Sequence, residues 1–142
     1  MQITRRADYA VRTVLDVAGL RPGDVALTSE VAERQRIPAP FLAKIVLALT
    51  RAGILRSFRG SGGGIALAKP PDQITLLQVV EAVDGPLAMN RCVLWPDECE
   101  RSDACPVHDV WCEARTLLAE HLGAISLAAL VEDRRGDVLD TG

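Results

Sequence analysis

A glycine-rich segment near the middle of the chain, "RGSGGG", is the feature that most restricts the possible fold. It separates two short strand-like runs, Ile54–Arg59 and Ile65–Ala68. Two such runs around a glycine-rich tip favour a β-hairpin. A nucleotide-binding phosphate loop would need a Lys-Ser or Lys-Thr pair and a helix directly afterwards, and the sequence continues with neither. The segment therefore predicts a hairpin, and taken alone it leaves open whether that hairpin has any ligand.

Three helices are predicted on the N-terminal side of this hairpin. In Thr4–Leu20 small and apolar residues recur at helical spacing until "RPGD" breaks the pattern. A second helix is expected to have Thr28 as its N-cap residue and Glu30 in its first turn. It ends at "RIPAP", because a proline disfavours helical geometry in the residue before it.

A third helix follows this short connection and leads into the hairpin. Gly53 suits its C-terminal end. The apolar residues of this helix lie on one side: Phe41, Leu42, Ile45, Val46 and Leu49. Two helices with a very short connection, followed by a hairpin, are typical of a winged helix-turn-helix domain. The predicted fold class is therefore mostly α with a small β-hairpin wing.

The charge distribution agrees with a first half that binds nucleic acid. Residues 1–70 contain 11 Lys and Arg against 5 Asp and Glu, whereas residues 71–142 contain 5 against 14. Such asymmetry suggests that one half meets a polyanion, although scattered solvated charge gives the same totals. A small glycine tip lets a wing approach the DNA backbone and place an arginine in the minor groove. The expected DNA contacts are Thr28 and Ser29 to phosphates, Pro40, Phe41 and Lys44 near base edges, Arg59 in the minor groove, and Arg56 and Ser61 on the wing.

Two further helices are predicted after the hairpin. The first is capped near Thr75 and turns Val79, Val80 and Val83 inward. The second begins at about Asp103. Its seam repeats at alternating four and three residues: Val107, Trp111, Ala114, Leu118, His121 and Ile125.

A seam of coiled-coil type favours a dimerisation helix that pairs with a second copy of the chain. Trp111, Leu118 and Ile125 are the expected dimer contacts. A two-fold homodimer would present two recognition helices about 34 Å apart to a palindromic operator. The alternative is that this helix folds back onto its own domain.

The four cysteines lie within 21 consecutive residues: Cys92, Cys99, Cys105 and Cys112. The charged N-terminus has no uninterrupted apolar segment, and no run approaches the ~20 residues of a membrane span, so we expect a cytoplasmic protein without a membrane partner. In a reducing cytoplasm clustered cysteines more often bind metal than form disulfides. Their spacing lacks the close pairs of structural zinc and the pattern of a plant-type ferredoxin. The residues alone leave iron–sulfur, zinc and redox thiols open.

Five motifs that span nearly the whole chain occur together: "MQITRRADYAVRTVLDVA", "GSGGG" after Arg59, "QVVEAVDG", three spaced cysteines and "CPVH". Together they resemble the Rrf family of winged-helix regulators, in particular its IscR-like iron–sulfur sensors. The resemblance implies a homodimeric transcription factor that is not an enzyme, binds double-stranded DNA and has no small-molecule substrate. It also implies a [2Fe–2S] cluster on three cysteines and a histidine, which match Cys92, Cys99, Cys105 and His108. One extra residue separates the first two cysteines.

The fourth ligand has two competitors. The NsrR-like branch, the second family choice, uses an acidic residue near the N-terminus of the partner subunit with a [4Fe–4S] cluster, and Asp8 matches that place. Cys112 follows His108 by four residues, so both lie on broadly one helix face. The plainer interpretations are a first-turn carboxylate for Asp8 and a small apolar residue for Cys112. His108 ranks first, then Asp8, then Cys112, and [2Fe–2S] is favoured over [4Fe–4S].

The sequence thus predicts three parts: a winged helix-turn-helix domain in residues 1–85, a cluster-binding loop in 86–106, and a dimerisation helix with a C-terminal tail in 107–142. We expect a DNA-binding transcriptional regulator, mainly a repressor, whose operator affinity reports iron–sulfur status, redox or nitric oxide. Changes at the cluster would move the loop and the next helix and so alter the spacing of the recognition helices. A cluster-free regulator with thiol switches or zinc, and an iron–sulfur electron carrier, are the alternatives.

Overall fold

The computed structural model describes residues 3–21, 23–60, 63–87 and 106–132. Its elements in chain order are α1 (Arg5–Ala18), β1 (Ala26–Leu27), α2 (Thr28–Gln35), α3 (Ala39–Arg51), β2 (Leu55–Phe58), β3 (Gly64–Leu67), a 3-10 turn (Pro71–Gln73), α4 (Leu76–Asp84) and α5 (His108–Gly123). Residues 127–132 are also helical. Four predicted site residues lie outside the described part of the chain: Ser61, Cys92, Cys99 and Cys105.

Side-chain caps start two of the helices. The Thr4 hydroxyl accepts the Ala7 backbone N–H at 3.0 Å and donates to the Asp84 carboxylate, which ties the start of α1 to the last residue of α4. Thr75 caps α4 as predicted, and its hydroxyl and the Gln78 side chain form a reciprocal capping box.

The connection between α2 and α3 is short, as the "RIPAP" motif predicted. Arg36 ends α2 in the left-handed conformation with φ 55°, and Pro38 is the N-cap residue of α3. The prediction that Thr28 caps α2 was wrong by one position, since Leu27 is the N-cap residue. Strand β1 runs up to Leu27, so the chain passes directly from strand to helix, and the Thr28 N–H donates to the Gly63 carbonyl at 3.4 Å instead.

The predicted hairpin is present, within a sheet of three strands. Strands β2 and β3 pair antiparallel, with Leu55 opposite Leu67 and Phe58 opposite Gly64. Strand β1 was missed by the sequence analysis and pairs with the other edge of β3, which gives the order β1-β3-β2. It has only two residues, too few for a periodic pattern to reveal it.

One apolar core joins these elements. The fully buried side chains come from α1, α3, α4, the sheet and the C-terminal helical segment: Ala7, Ala10, Val14, Leu42, Ile45, Leu49, Ile65, Val79 and Leu127. Because the buried positions of α3 recur at three and four residues, its opposite face is left free for a ligand.

Helix α5 is shorter than predicted at both its N-terminal and its C-terminal end. Residues 106 and 107 form a turn, and α5 begins at His108 rather than about Asp103. It ends at Gly123, so the predicted seam does not continue as one helix to Ile125. The physical reason is a backbone exchange, in which the Leu76 N–H donates to the Ile125 carbonyl and the Leu127 N–H to the Ile74 carbonyl, both at 2.9 Å. These bonds fix the end of α5 to the start of α4.

Candidate DNA-binding surface and metal centre

The solvent face of α3 carries the residues predicted to reach base edges. Pro40 and Lys44 are exposed. Phe41 is 38% exposed and packs edge-on against Tyr9 of α1, with ring centroids 5.4 Å apart. Helix α3 is thereby fixed against α1 at its N-terminal end, the end that enters the major groove in helix-turn-helix proteins.

Two further residues on this face were missed by the sequence analysis. Leu47 is 50% exposed, and Arg51 is exposed one turn later. Together with Pro40 and Lys44 they occupy positions i, i+4, i+7 and i+11, so the helical spacing of the sequence could have identified them. An apolar side chain beside a cation suits contact with thymine methyl groups and phosphates.

The wing tip and the start of α2 lie against each other. Gly63 has φ +65°, and a Cβ atom built on it would lie 3.4 Å from the Thr28 hydroxyl oxygen. Thr28 is half-buried there, while Ser29 is exposed at the first turn of α2. Because the first N–H groups of a helix favour anions, this junction places the predicted phosphate contacts beside the wing.

The side chains on the two faces of strand β2 have different neighbours. The Ser57 hydroxyl lies 3.2 Å from the Thr50 hydroxyl and so links the strand to α3. Adjacent strand residues point to opposite faces, so Arg56 lies on the other side, with its guanidinium 5.9 Å from the Phe58 ring centroid. Arg56 and Phe58 line a groove of about 730 Å³ between the wing, the end of α1 and residues 128–132. Arg59 is exposed at the tip end of β2.

Ion pairs separate structural arginines from those available to a ligand. The 6%-exposed Asp16 side chain of α1 accepts hydrogen bonds from Arg34 and Gln35 of α2. The bond to Asp16 raises the pKa of Arg34 further, so this arginine is charged at any physiological pH. Within the described segments, Lys44, Arg51 and Arg59 form no ion pair. Their charges are therefore available to phosphates.

His108 stands at the first position of α5, directly after the turn at residues 106 and 107. Its Nδ1 atom is buried and has no hydrogen-bond partner in the part of the chain that the structure describes. Its Nε2 atom lies 3.7 Å from the Cys112 sulfur, one turn further along the helix. A buried imidazole nitrogen without a partner suits a metal ligand, so His108 fits the histidine of the expected iron–sulfur site.

The rest of the predicted ligand set is only partly placed. No group of three or more His, Cys, Asp or Glu side chains with metal-binding geometry occurs among the described residues, which exclude Cys92, Cys99 and Cys105. Asp8, the second candidate for the fourth ligand, pairs with Arg12 of its own helix at 2.7 Å. Cys112, the third candidate, is half-buried beside His108.

Helix α5 divides its apolar residues between two sides. Leu118 and Leu122 pack against the core of the same chain, and Arg115 donates to the Leu87 carbonyl. Val110 and Leu117 are 54% and 68% exposed. The helix thus folds back onto its own domain through one side and leaves apolar surface on another.

Comparison with known proteins identifies the family. Residues 3–133 match the Rrf2 family, described as an iron-dependent transcriptional regulator. The HTH-type transcriptional regulator IscR of Xenorhabdus nematophila is 34% identical over 141 residues, which cover 99% of this chain and 84% of that protein. IscR of Aliivibrio salmonicida is 34% identical over 134 residues, covering 94% of this chain and 79% of that protein.

Solved structures agree in fold. T. potens IscR has a TM-score of 0.74 at 24% identity and covers 94% of this chain and 88% of its own. CymR, the global cysteine regulator of B. subtilis, has a TM-score of 0.74 at 21% identity and covers 93% of this chain and 97% of its own. None of the described helices is long and apolar enough to cross a membrane. The motifs therefore indicated the right family: the chain belongs to the Rrf2 family of transcriptional regulators, which implies that it binds DNA and is not an enzyme.

Proposed function

We propose that this protein is a homodimeric regulator, mainly a repressor, whose affinity for a palindromic operator depends on an iron–sulfur cluster. The observation that supports the cluster is the buried Nδ1 atom of His108 in the "CPVH" motif, which has no hydrogen-bond partner among the described residues. A neutral imidazole offers one lone pair for a metal, and burial without a hydrogen bond is costly unless something occupies that lone pair.

Cys92, Cys99, Cys105 and His108 would hold the cluster, with [2Fe–2S] favoured over [4Fe–4S]. When bound, it would supply a redox centre that responds to oxidation, nitric oxide or iron–sulfur supply. Asp8 remains the second choice for the fourth ligand, and it would first have to leave its ion pair with Arg12.

The route from this site to DNA runs through packed helices. His108 starts α5, and α5 packs on α4 and the core through Leu118 and Leu122. Helix α4 in turn packs on α1 and on the recognition helix α3. A displacement of the first turn of α5 would therefore reach α3 through side chains already in contact, because packed interiors transmit shifts rather than absorb them.

Dimerisation is proposed through the side of α5 that its own core leaves exposed. Val110 and Leu117, seven residues apart, lie on that side. The predicted contact Trp111 lies seven residues before Leu118 and so shares the side of the helix on which Leu118 lies. Leu118 faces the core, so its predicted part in the dimer is secondary. We also propose the three-part organisation given above: a DNA-binding domain in residues 1–85, a cluster-binding loop in 86–106, and a dimerisation helix with its tail in 107–142.

A cluster-free thiol switch is the second candidate. Its support is the half-buried Cys112 thiol beside His108, together with a fold as similar to CymR as to IscR by TM-score. Both candidates use the same DNA-binding surface and differ only in what the cysteines hold.

Anaerobic purification separates the two. The proposal expects a coloured protein with visible absorbance and iron and sulfide in equal amounts, at two of each per chain for [2Fe–2S]. A colourless protein without iron or sulfide, whose operator affinity responds to thiol oxidants, would establish the second candidate and reject the first.

A further inference from the structure

We infer that Cys112 positions His108 rather than competing with it, and that Nδ1 is the nitrogen that would bind iron. This inference rests on the proposed function, because it assigns a role within the same site. It is carried by the two ring nitrogens of His108, which have different surroundings.

The two nitrogens are distinguished by their neighbours. Nε2 lies 3.7 Å from the Cys112 sulfur, a separation at which a ring N–H can donate to sulfur. Nδ1 is buried and has no partner among the described residues. His108 and Cys112 are four residues apart on α5, so the helix itself holds the two side chains together.

A neutral imidazole carries one proton, and its position decides what each nitrogen can do. With the proton on Nε2, that nitrogen donates to Cys112, and the lone pair of Nδ1 is available to a metal. With the proton on Nδ1, the Cys112 thiol donates to Nε2, and a buried N–H is left without an acceptor. Buried donors are rarely left unpaired, so the first arrangement is favoured.

The distance also suits a different arrangement, in which one metal ion is bound by Nε2 and the sulfur together. Two tetrahedral ligands of a zinc ion, one nitrogen and one sulfur, lie about 3.6 Å apart. That arrangement leaves the proton on Nδ1, where it has no acceptor in the described part of the chain. The buried Nδ1 therefore favours the positioning role over a two-residue chelate.

A positioning acceptor has a defined effect on a ligand histidine. Metal-bound histidines commonly donate the other ring N–H to a neighbouring group, which fixes the tautomer and the ring orientation. Sulfur is a weak acceptor, so Cys112 would hold the ring without drawing the proton away. Such a hydrogen bond leaves Nδ1 as the metal-binding atom.

Nitrogen NMR of the apo-protein tests the tautomer without any cluster. The chain has two histidines, and the exposed His121 on the same helix is an internal control. In ¹⁵N-histidine-labelled protein at a pH where the imidazoles are neutral, His108 should show the Nε2–H tautomer, with a larger separation of its two ring shifts than His121. The Nδ1–H tautomer, or a separation equal to that of His121, would overturn the inference.

Three substitutions test the positioning role. Cys112→Ala should reduce the shift separation of His108 to the value of His121 and change the reduction potential of the loaded protein, with iron and sulfide content unchanged. Cys112→Ser should restore both, because a hydroxyl can accept the same hydrogen bond. Cys112→Val, which keeps bulk without a good acceptor, should behave as Cys112→Ala. An unchanged potential and unchanged shifts in the Ala and Val variants would refute the inference.

Failure of the inference can be told apart from failure of the proposed function. If His108→Ala leaves the visible spectrum unchanged, His108 is not a ligand and the proposed ligand set is wrong. If His108→Ala changes the spectrum while Cys112→Ala changes neither the NMR shifts nor the potential, His108 is a ligand and only the role of Cys112 is wrong.

Discussion

The DNA-binding surface and the proposed metal centre differ in how their candidate residues are held. On the DNA side each helix is fixed by named contacts: Phe41 against Tyr9, Arg34 with Asp16, and Thr50 beside Ser57. At the proposed metal centre, His108 and Cys112 lie 3.7 Å apart on α5, and the alternative ligand Asp8 lies on α1; the three expected cysteine ligands are outside the described residues.

This difference indicates that the two regions have separate roles, one in DNA binding and one in regulation. The DNA-binding surface is a preformed body whose side chains need no ligand to find their places. The proposed metal centre would take most of its ligands from the segment between α4 and α5, and the Nδ1 atom of its candidate ligand His108 has no partner among the described residues. Changes at the centre should therefore alter cluster content and regulation, while changes in the body should alter DNA affinity or stability.

The largest expected effect comes from removing a ligand. Cys105→Ala should abolish visible absorbance and bound iron, because three protein ligands are too few to retain the cluster against chelators. Thermal unfolding of the apo-protein should be unchanged, because Cys105 is proposed to act through the cluster alone. Cys112→Ala, the matched control, should keep its iron. Equal iron in the Cys105 and Cys112 variants would remove the distinction between ligand and neighbour.

The next effect concerns DNA affinity. Lys44→Ala and Arg59→Ala should each weaken operator binding by about tenfold and reduce the slope of log K against log salt by about one, as expected for one lost phosphate contact. Fluorescence anisotropy at several salt concentrations measures both quantities. Glu120→Gln, an exposed change on α5, is the control and should leave the slope intact. If the control changes binding as much as Lys44→Ala, the assigned surface is wrong.

A stability effect tests how tightly the wing is built. A Cβ atom on Gly64 would lie 2.7 Å from the Val25 Cγ1 atom, so Gly64→Ala should lower the free energy of unfolding by about 1–2 kcal/mol. Gly19→Ala is the matched control, because its Cβ would have ordinary contacts of 3.5 and 3.6 Å. Urea unfolding followed by circular dichroism compares the two. Equal stability of the two variants would mean that the wing has room to rearrange.

The smallest effect concerns the cap of α4, the helix between the metal centre and the DNA surface. Thr75→Ala removes the capping box and should cost about 1 kcal/mol of unfolding free energy. Thr116→Ala, in the interior of α5 and exposed, should cost less than about 0.5 kcal/mol. A larger loss for Thr116 than for Thr75 in the same urea assay would contradict the assigned cap.

Much of the fold followed from local sequence patterns. The breaks at "RPGD" and "RIPAP", the cap at Thr75 and the glycine-tipped hairpin were all predicted from residues whose conformational preferences are strong. Strand β1 was not predicted, because its two residues acquire their pairing only from the distant strand β3, where Ala26 lies opposite Ile65 and Leu27 opposite Gly64. The early end of α5 has a similar cause, since the bond between Leu76 and Ile125 is a long-range pairing.

The sequence predicted which residues are candidates for the site, but it predicted less well which way their side chains point. Residue type and motif spacing suggested Lys44, Arg59 and His108 as candidates. They did not reveal that Arg56 lies on the sheet face opposite α3, or that Leu118 faces the core while Leu117 is exposed. These are properties of neighbouring positions on one element, where a single step along the chain reverses or rotates the side chain.

The most direct test of cluster-controlled DNA binding compares one preparation in two states. Operator duplexes selected from a random library would be titrated anaerobically with cluster-loaded protein and with the same protein after the cluster has been removed. Cluster-controlled binding predicts at least about a tenfold difference in operator affinity between the two states, as expected for a coupling free energy of more than ~1.4 kcal/mol, and loss of that difference in His108→Ala. Equal affinity in both states, from protein shown to contain iron and sulfide, would contradict it.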